Sequence, residues 1–307
     1  MSQTVAYSET LALVEALLGA DLITLEKTRV RTLVNSRAHA AFRESDLWDP
    51  FLVTAEERVV DDSNPDQMFV PYVGTTSAGT SVTSIKRGDI DTVLRAHDAN
   101  PFAVNGVKEY EVMATSNGIE LPGYKIVYGA ETGVTGLTGG SPNFVFLTSE
   151  KRDAITGGTI SVADVVTSDG TATDALVNAT HTLTNVTYLT DSQTNLSFSL
   201  ATTITSVNIA SAKIKFPVVY LTYKRRLTET YGDQDGDTTT LPREWHEYCA
   251  LGTVADMLQA DGFSEKSQAM EVKAFAALQR ELDRIDRNRA HQFVNHRVRT
   301  HASNQAR

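Results

Sequence analysis

One cluster of carboxylates has a spacing that resembles a calcium-binding loop. Its members stand at loop positions 1, 3, 5 and 12, and they are Asp233, Asp235, Asp237 and Glu244. Oxygen ligands at these positions surround Ca²⁺ in EF-hand proteins. The glycine that the sharp turn needs at position 6 is replaced by Thr238, and Pro242 falls inside the loop. The segment is therefore interpreted as an acidic turn, and we expect no metal there.

Nucleophilic and phosphate-binding patterns are also incomplete. The single cysteine, Cys249, lies in a predicted helix, where a lone thiol behaves as a small apolar side chain. His291, His296 and His301 are five residues apart, so they do not share a helical face as ligands at i and i+4 would. The glycines of residues 133–140 are not followed by the Lys-Ser/Thr of a phosphate loop. We therefore expect a protein that is not an enzyme and needs no cofactor.

The composition is that of a globular chain with an acidic balance. Of the 307 residues, 41% are apolar and 21% are charged, and the net charge is −10 at pH 7. A protein that grips phosphate backbones needs a dominant basic surface, so the composition argues against a nucleic-acid reader. The acidic composition is compatible with a protein that DNA passes without being bound. No apolar run is long enough to span a membrane, so we expect folding in the cytoplasm.

Two helices are predicted near the N-terminus. Ser8 is the expected cap of the first, Leu11–Leu18, which Gly19 ends. The second begins near Thr24, and its apolar residues recur every four positions. They are Val30, Val34, Ala38 and Phe42. Such an amphipathic helix needs a partner against which its apolar stripe is buried.

The apolar period changes after the second helix. Residues 58–60 and 68–72 predict a β-hairpin, because the residues between them favour turns. The segment 131–210 is rich in threonine and poor in charge, and side chains alternate in 196–200 and 214–220. This pattern is typical of a β-sandwich or barrel.

Helices return near the C-terminus. Pro242 suits the first turn of a helix that reaches Leu258, and Asp261 and Gly262 end it. A last helix is expected from Ser264. Its apolar stripe consists of Ala274, Leu278, Leu282 and Ile285. After Asp286 the chain carries five arginines and no acidic side chain.

These elements predict an α+β fold, in which a four-helix frame carries a large inserted antiparallel β domain of sandwich or barrel type. The first two helices cannot bury their stripes alone, so we expect them to pack on the last two. The expected boundaries are 1–72 for the N-terminal helices and hairpin, 73–221 for the inserted β domain, 222–289 for the C-terminal helices and 290–307 for a basic tail.

The C-terminal helices carry a recognisable motif. Residues 241–248, Leu-Pro-Arg-Glu-Trp-His-Glu-Tyr, follow a strand and open a helix that a charged second helix follows. This order resembles the head–tail connector (adaptor) proteins of tailed bacteriophages. The N-terminal part is similar too, with a long helix from Thr24 to Phe42, then Trp48 and a strand pair. The resemblance covers residues 1–72 and 214–290, and the long β region between them departs from it.

The resemblance implies a location in the virion neck, between head and tail. The subunits would form a homo-oligomeric ring, commonly of twelve, that contacts the portal protein and tail or neck proteins while DNA passes without specific binding. It also implies that the C-terminal segment reaches the portal. The docking residues expected there have basic or aromatic side chains: Arg287, Arg289, Phe293, Arg297 and Arg299.

Two alternatives remain. The chain could be another virion structural component, such as a tail-completion or minor capsid protein, whose β domain faces outward. It could also be a carbohydrate-binding module mounted on helices. That module would need exposed aromatic platforms, and the inserted region contains no tryptophan. The sequence therefore favours a virion component.

Overall fold

A computed structural model describes residues 4–62, 68–71, 90–103, 106–115, 118–139, 143–148, 157–167, 170–190, 193–200, 207–208, 212–227, 231 and 240–304. The chain divides into two compact units. The helical unit comprises Met1–Leu52 and Arg226–Arg307, and the β unit comprises Val53–Arg225. Both ends of the chain therefore belong to one unit, and the β unit is inserted between them.

Five α-helices and one turn of 3₁₀ helix lie within the described residues. The helices are α1 (Tyr7–Leu18), α2 (Thr24–Arg43), α3 (Thr171–Val177), α4 (His246–Ala260) and α5 (Ser264–Asn304), and the 3₁₀ turn is Arg243–Trp245. All except α3 lie in the helical unit. Among them, none combines the length and the apolar character that crossing a membrane requires.

The ends of the first two helices follow from local residues. Helix α1 begins after the extended residue Ala6, so the prediction that Ser8 caps it was wrong. It ends at Gly19, whose φ of 70° is easily adopted by glycine and lets its N–H donate to the Glu15 carbonyl at 2.9 Å. At the start of α2, Glu26 accepts a hydrogen bond of 2.9 Å from the backbone N–H of Ile23.

Seventeen strands lie within the described ranges. They are β1 (Thr4–Ala6), β2 (Leu52–Val59), β3 (Phe69–Pro71), β4 (Ile90–His97), β5 (Glu109–Tyr110), β6 (Met113–Ala114), β7 (Gly118–Glu120), β8 (Thr132–Gly139), β9 (Asn143–Thr148), β10 (Thr159–Ala163), β11 (Val166–Thr167), β12 (Thr180–Thr190), β13 (Gln193–Ser199), β14 (Val207–Asn208), β15 (Lys213–Lys215), β16 (Val218–Arg225) and β17 (Thr240–Pro242).

Six of these strands form an antiparallel barrel in the order β10-β12-β13-β9-β8-β15, which β15 closes by pairing with β10. Its interior is filled by apolar side chains that alternate along the strands, such as Ile160, Leu196 and Ile214. The threonines at 180, 182 and 184 of β12 are exposed. The expected combination of helices with antiparallel β structure is confirmed.

A four-stranded sheet, β2-β16-β4-β5, and a three-stranded sheet, β3-β7-β6, complete most of the β unit. The predicted hairpin was wrong in its pairing, because β2 and β3 lie in different sheets. An isolated antiparallel bridge joins Asp61, which follows β2, to Phe69 of β3. Strand β2 pairs instead with β16, which has eight residues and can form more backbone hydrogen bonds than the three-residue β3.

The helical unit has one apolar core. Helices α1, α2, α4 and α5 contribute to it Val14, Val34, Val254 and Leu278, each at most 2% exposed. Strand β1, near the N-terminus, pairs in the same unit with β17, which lies just before α4. The β unit has two separate cores, one in the barrel and one around Ile119, Val219 and Leu221.

Candidate functional site

The motif at residues 241–248 places Trp245 inside an aromatic cluster. Its ring is fully buried and stacks on Phe51 with centroids 5.3 Å apart and planes 12° apart. Trp48 meets it edge-on at 5.4 Å, and the Trp48 indole N–H donates to the Ala41 carbonyl at 2.9 Å. The motif therefore fixes the start of α4 against the end of α2.

Arg37 of α2 joins three helices. Its guanidinium donates two hydrogen bonds to Asp256 of α4, at 3.0 and 2.7 Å, and two to Glu271 of α5, at 2.7 and 2.8 Å. Burial lowers the pKa of the guanidinium, but hydrogen bonds to both carboxylates outweigh that effect, so the pKa of Arg37 is raised. Bidentate pairs of this kind are the strong ones and fix orientation as well as charge.

Tyr231 connects the returning chain to the N-terminal helices. Its backbone N–H donates to the Asn35 side chain at 3.0 Å, and the Asn35 amide donates to the Tyr231 carbonyl at 2.8 Å. Its hydroxyl donates to the Val5 carbonyl at 2.8 Å, and burial raises the pKa of Tyr231 to about 12. The phenol is therefore a neutral structural donor.

Two titratable side chains of α4, Cys249 and His246, have pKa values shifted toward their neutral forms. Burial raises the pKa of the Cys249 thiol to about 12, which suppresses the nucleophilic thiolate. Burial also lowers the pKa of His246, although a hydrogen bond to the backbone of Glu9 opposes the shift. These side chains are placed to pack.

Helix α5 packs on the helical core in its first part and extends beyond that core in its second part. On one side of the helix, apolar side chains from Met270 to Ile285 pack on the helical core. Beyond that point Asp286 and Arg287 are exposed, and the Arg287 guanidinium donates to the Asp283 carbonyl at 3.1 Å. The helix then continues to Asn304. At 1.5 Å per residue, the part from Asp286 to Asn304 is about 27 Å long.

The predicted docking residues all fall on this continuation. The backbones of Arg289, Phe293, Arg297 and Arg299 are helical, and their side chains lie outside the described part of the chain. Only the side chain of Arg287 can be placed, and it is exposed. The backbone of residues 290–304, which the sequence analysis assigned to a basic tail, is thus helical.

The acidic turn at 233–237 lies outside the described residues. In the part of the chain that the structure does describe, no three His, Cys, Asp or Glu side chains are grouped so that they could hold a metal ion.

Sequence reasoning missed the three-helix contact of Arg37. Its partners are 219 and 234 residues away, so no local spacing connects them. One signal was available, because Arg37 lies between Val34 and Ala38 at the edge of the apolar stripe of α2, where a charge needs a partner when the stripe is buried.

No family model, curated protein or solved structure matches this chain significantly.

Proposed function

We propose that this chain is a structural, non-enzymatic virion protein, a head–tail adaptor subunit whose ring joins the portal to the tail of a tailed bacteriophage and lets DNA pass. One observation carries the proposal. The motif that resembles adaptor proteins supplies Trp245, and this side chain packs on Phe42, Trp48 and Phe51 from the N-terminal stretch that shares the resemblance. The two similar stretches thus form one core.

In this proposal α1, α2, α4 and α5 act as a four-helix frame. The aromatic cluster and the Arg37 contacts support that role, because they link α2, α4 and α5 through directional interactions as well as apolar packing. A subunit that transmits force between head and tail needs helices that do not slide past one another. Interlocked side chains of this kind resist such sliding.

The continuation of α5 is the proposed portal-docking segment. Arginines and histidines follow Asp286 and no acidic residue does, so this segment favours an acidic partner surface. Arginine can pair bidentately with carboxylates there. The proposed docking residues are Arg287, Arg289, Phe293, Arg297 and Arg299. One such helix would bind weakly, and a ring of them would bind strongly through multivalency.

The charge balance supports passage of DNA without specific binding. A net charge of −10 repels a polyanion on average, which suits a bore that DNA must cross without being held.

The β unit supports a second candidate, another virion structural component such as a tail-completion or minor capsid protein. The unit is longer than the helical unit and has two cores of its own. Such a unit could face outward and decorate the particle. In that case its loss would alter the particle surface and leave head and tail joined.

Genetic inactivation of the protein in the phage that encodes it tests the proposal. We expect DNA-filled heads and separate tails, with infectivity restored by the full chain supplied in trans. A chain truncated after Asn288 should melt at nearly the same temperature and fail to restore infectivity. Joined, infectious particles without the protein would refute the adaptor role, and joined particles with an altered surface would favour the second candidate.

A further inference from the structure

Helix α5 runs without interruption from Ser264 to Asn304, a length of about 60 Å at a rise of about 1.5 Å per residue. The sequence of this range contains neither glycine nor proline, the residues at which long helices usually kink or end. Among the described side chains, that of Ile285 is the last to pack on the helical core. The backbone therefore passes from the core into the continuation of α5, residues 286–304, without a built-in joint.

The part of α5 that packs on the core is held in one rotational position. Its apolar stripe, which includes Leu278, is buried against the other helices. On one flank of this stripe, Glu271 accepts two hydrogen bonds from Arg37 of α2, at 2.7 and 2.8 Å. On the other flank, Arg280 donates to Glu247 of α4 at 2.6 Å. Although an exposed pair of this kind adds little stability, contacts on both flanks oppose rotation of α5 about its own axis.

The continuation has two local reasons to remain helical after it leaves the core. Nucleation is the unfavourable step of helix formation, and the packed part of α5 already supplies the first turns, so only propagation is required. Arg299 lies near the C-terminal end of the helix, where a cation interacts favourably with the negative end of the helix dipole. The rotational position of the packed part is therefore transmitted along the continuation.

We propose that the continuation docks on the portal as a rigid extension of the helical core, so that the core decides which side of this helix faces the partner. The partner that fits is a preformed groove, about as long as the 27 Å of the continuation, in which a helix lies. The groove is acidic, because no acidic residue follows Asp286. A flexible basic arm would instead bind an acidic surface in any rotational position. The inference rests on the proposed function in taking the portal as the partner.

Alanines inserted between Asp286 and Arg287 of the full-length chain test the rotational requirement. Each added alanine lengthens the helix by about 1.5 Å and rotates the residues after it by about 100°. Two alanines therefore turn the docking residues by about 200° for a shift of about 3 Å, whereas four turn them by only about 40° for a shift of about 6 Å. Affinity for purified portal rings should fall at least about tenfold with two alanines and largely return with four.

Two further insertions serve as matched controls. Gly-Ser-Gly-Ser at the same place has as many residues as the four alanines but uncouples the continuation from the core, so it should bind as weakly as the two-alanine variant. Two alanines added after Asn304 leave every residue of the helix in its rotational position and should not weaken binding. The inference is overturned if the Gly-Ser variant binds as well as the four-alanine variant. It is also overturned if two alanines weaken binding no more than four do.

Circular dichroism of the free chain separates this inference from the proposed function. Truncation after Asn288 should remove the helical signal of residues 289–304. An unchanged helical signal per molecule would overturn the inference whatever the portal does. Loss of that signal, combined with failure of the unmodified chain to bind portal rings, would keep the rigid extension and refute portal docking.

Discussion

Gly252 lies against the guanidinium of Arg37 so closely that a Cβ at position 252 would stand 2.9 Å from Nε and 3.0 Å from Cδ of that arginine. The missing side chain therefore lets Arg37 cross α4 and reach both Asp256 and Glu271. A glycine inside a helix ordinarily destabilises it by about 1 kcal/mol relative to alanine. Here the close approach of Arg37 explains why glycine stands in the middle of α4.

The first prediction is that Gly252→Ala lowers the free energy of unfolding by about 1–3 kcal/mol, although helix propensity alone would raise it by about 1 kcal/mol. The added methyl group displaces the guanidinium from its carboxylates. Denaturant unfolding measures the change. In an Arg37→Ala background the same substitution should be neutral or stabilising, and a stabilising effect in the unmodified chain would contradict the account.

The second prediction concerns Arg37 itself. Its side chain is 16% exposed, while those of Asp256 and Glu271 are 35% and 32% exposed. Arg37→Met should therefore cost about 1–3 kcal/mol, more than a surface pair and less than a fully buried one. Arg37→Lys should recover little, because an ammonium group cannot bind both carboxylates bidentately. Arg29→Met, on the exposed side of the same helix, should stay within about 0.5 kcal/mol.

Local sequence patterns predicted where helices and strands lie better than they predicted which strands pair with one another. The four-residue spacing of Val30, Val34 and Ala38 is a local property, and it identified α2, whose core-facing stripe the structure contains. The order of the barrel strands is set by long-range pairing, which alternating threonines do not encode. The predicted hairpin failed for the same reason, because the turn residues are local while the competing partner of β2, strand β16, is distant in sequence.

The same difference holds for the candidate site. The local motif at residues 241–248 identified Trp245, whereas the role of Arg37 follows from hydrogen bonds to residues more than 200 positions away. The docking role of Arg287, Arg289, Phe293, Arg297 and Arg299 stays a prediction.

The third prediction concerns the backbone strain at Ala55, whose φ is 48°. The backbone N–H of Ala55 donates a hydrogen bond to the Thr222 hydroxyl at 3.1 Å. A left-handed conformation costs a residue with a Cβ about 1 kcal/mol. Ala55→Gly should therefore raise the free energy of unfolding of the β unit by about 1 kcal/mol. Ala114→Gly, at an exposed strand position, serves as the control and should be slightly destabilising. Destabilisation by Ala55→Gly would show that the methyl group, rather than the backbone, matters there.

The fourth prediction concerns acid stability. Burial lowers the pKa of His97, His181 and His246 below the ordinary value of 6.5. The unfolded chain therefore binds more protons than the folded chain below pH 6.5, and stability falls as the pH drops through that value. The free energy of unfolding should decrease between pH 7.5 and 5.5. His97→Gln should reduce this slope, and a stability that rises on acidification over this range would contradict the prediction.

The adaptor role is tested most directly by locating the chain in the phage particle with cryo-electron microscopy. The account predicts a ring of copies in the neck, with α1, α2, α4 and α5 of each copy fitting the density and residues 286–304 contacting the portal protein. The ring should surround a bore wide enough for DNA. Density for this chain on the capsid shell or the tail tip, or particles with complete necks that lack it, would contradict the account.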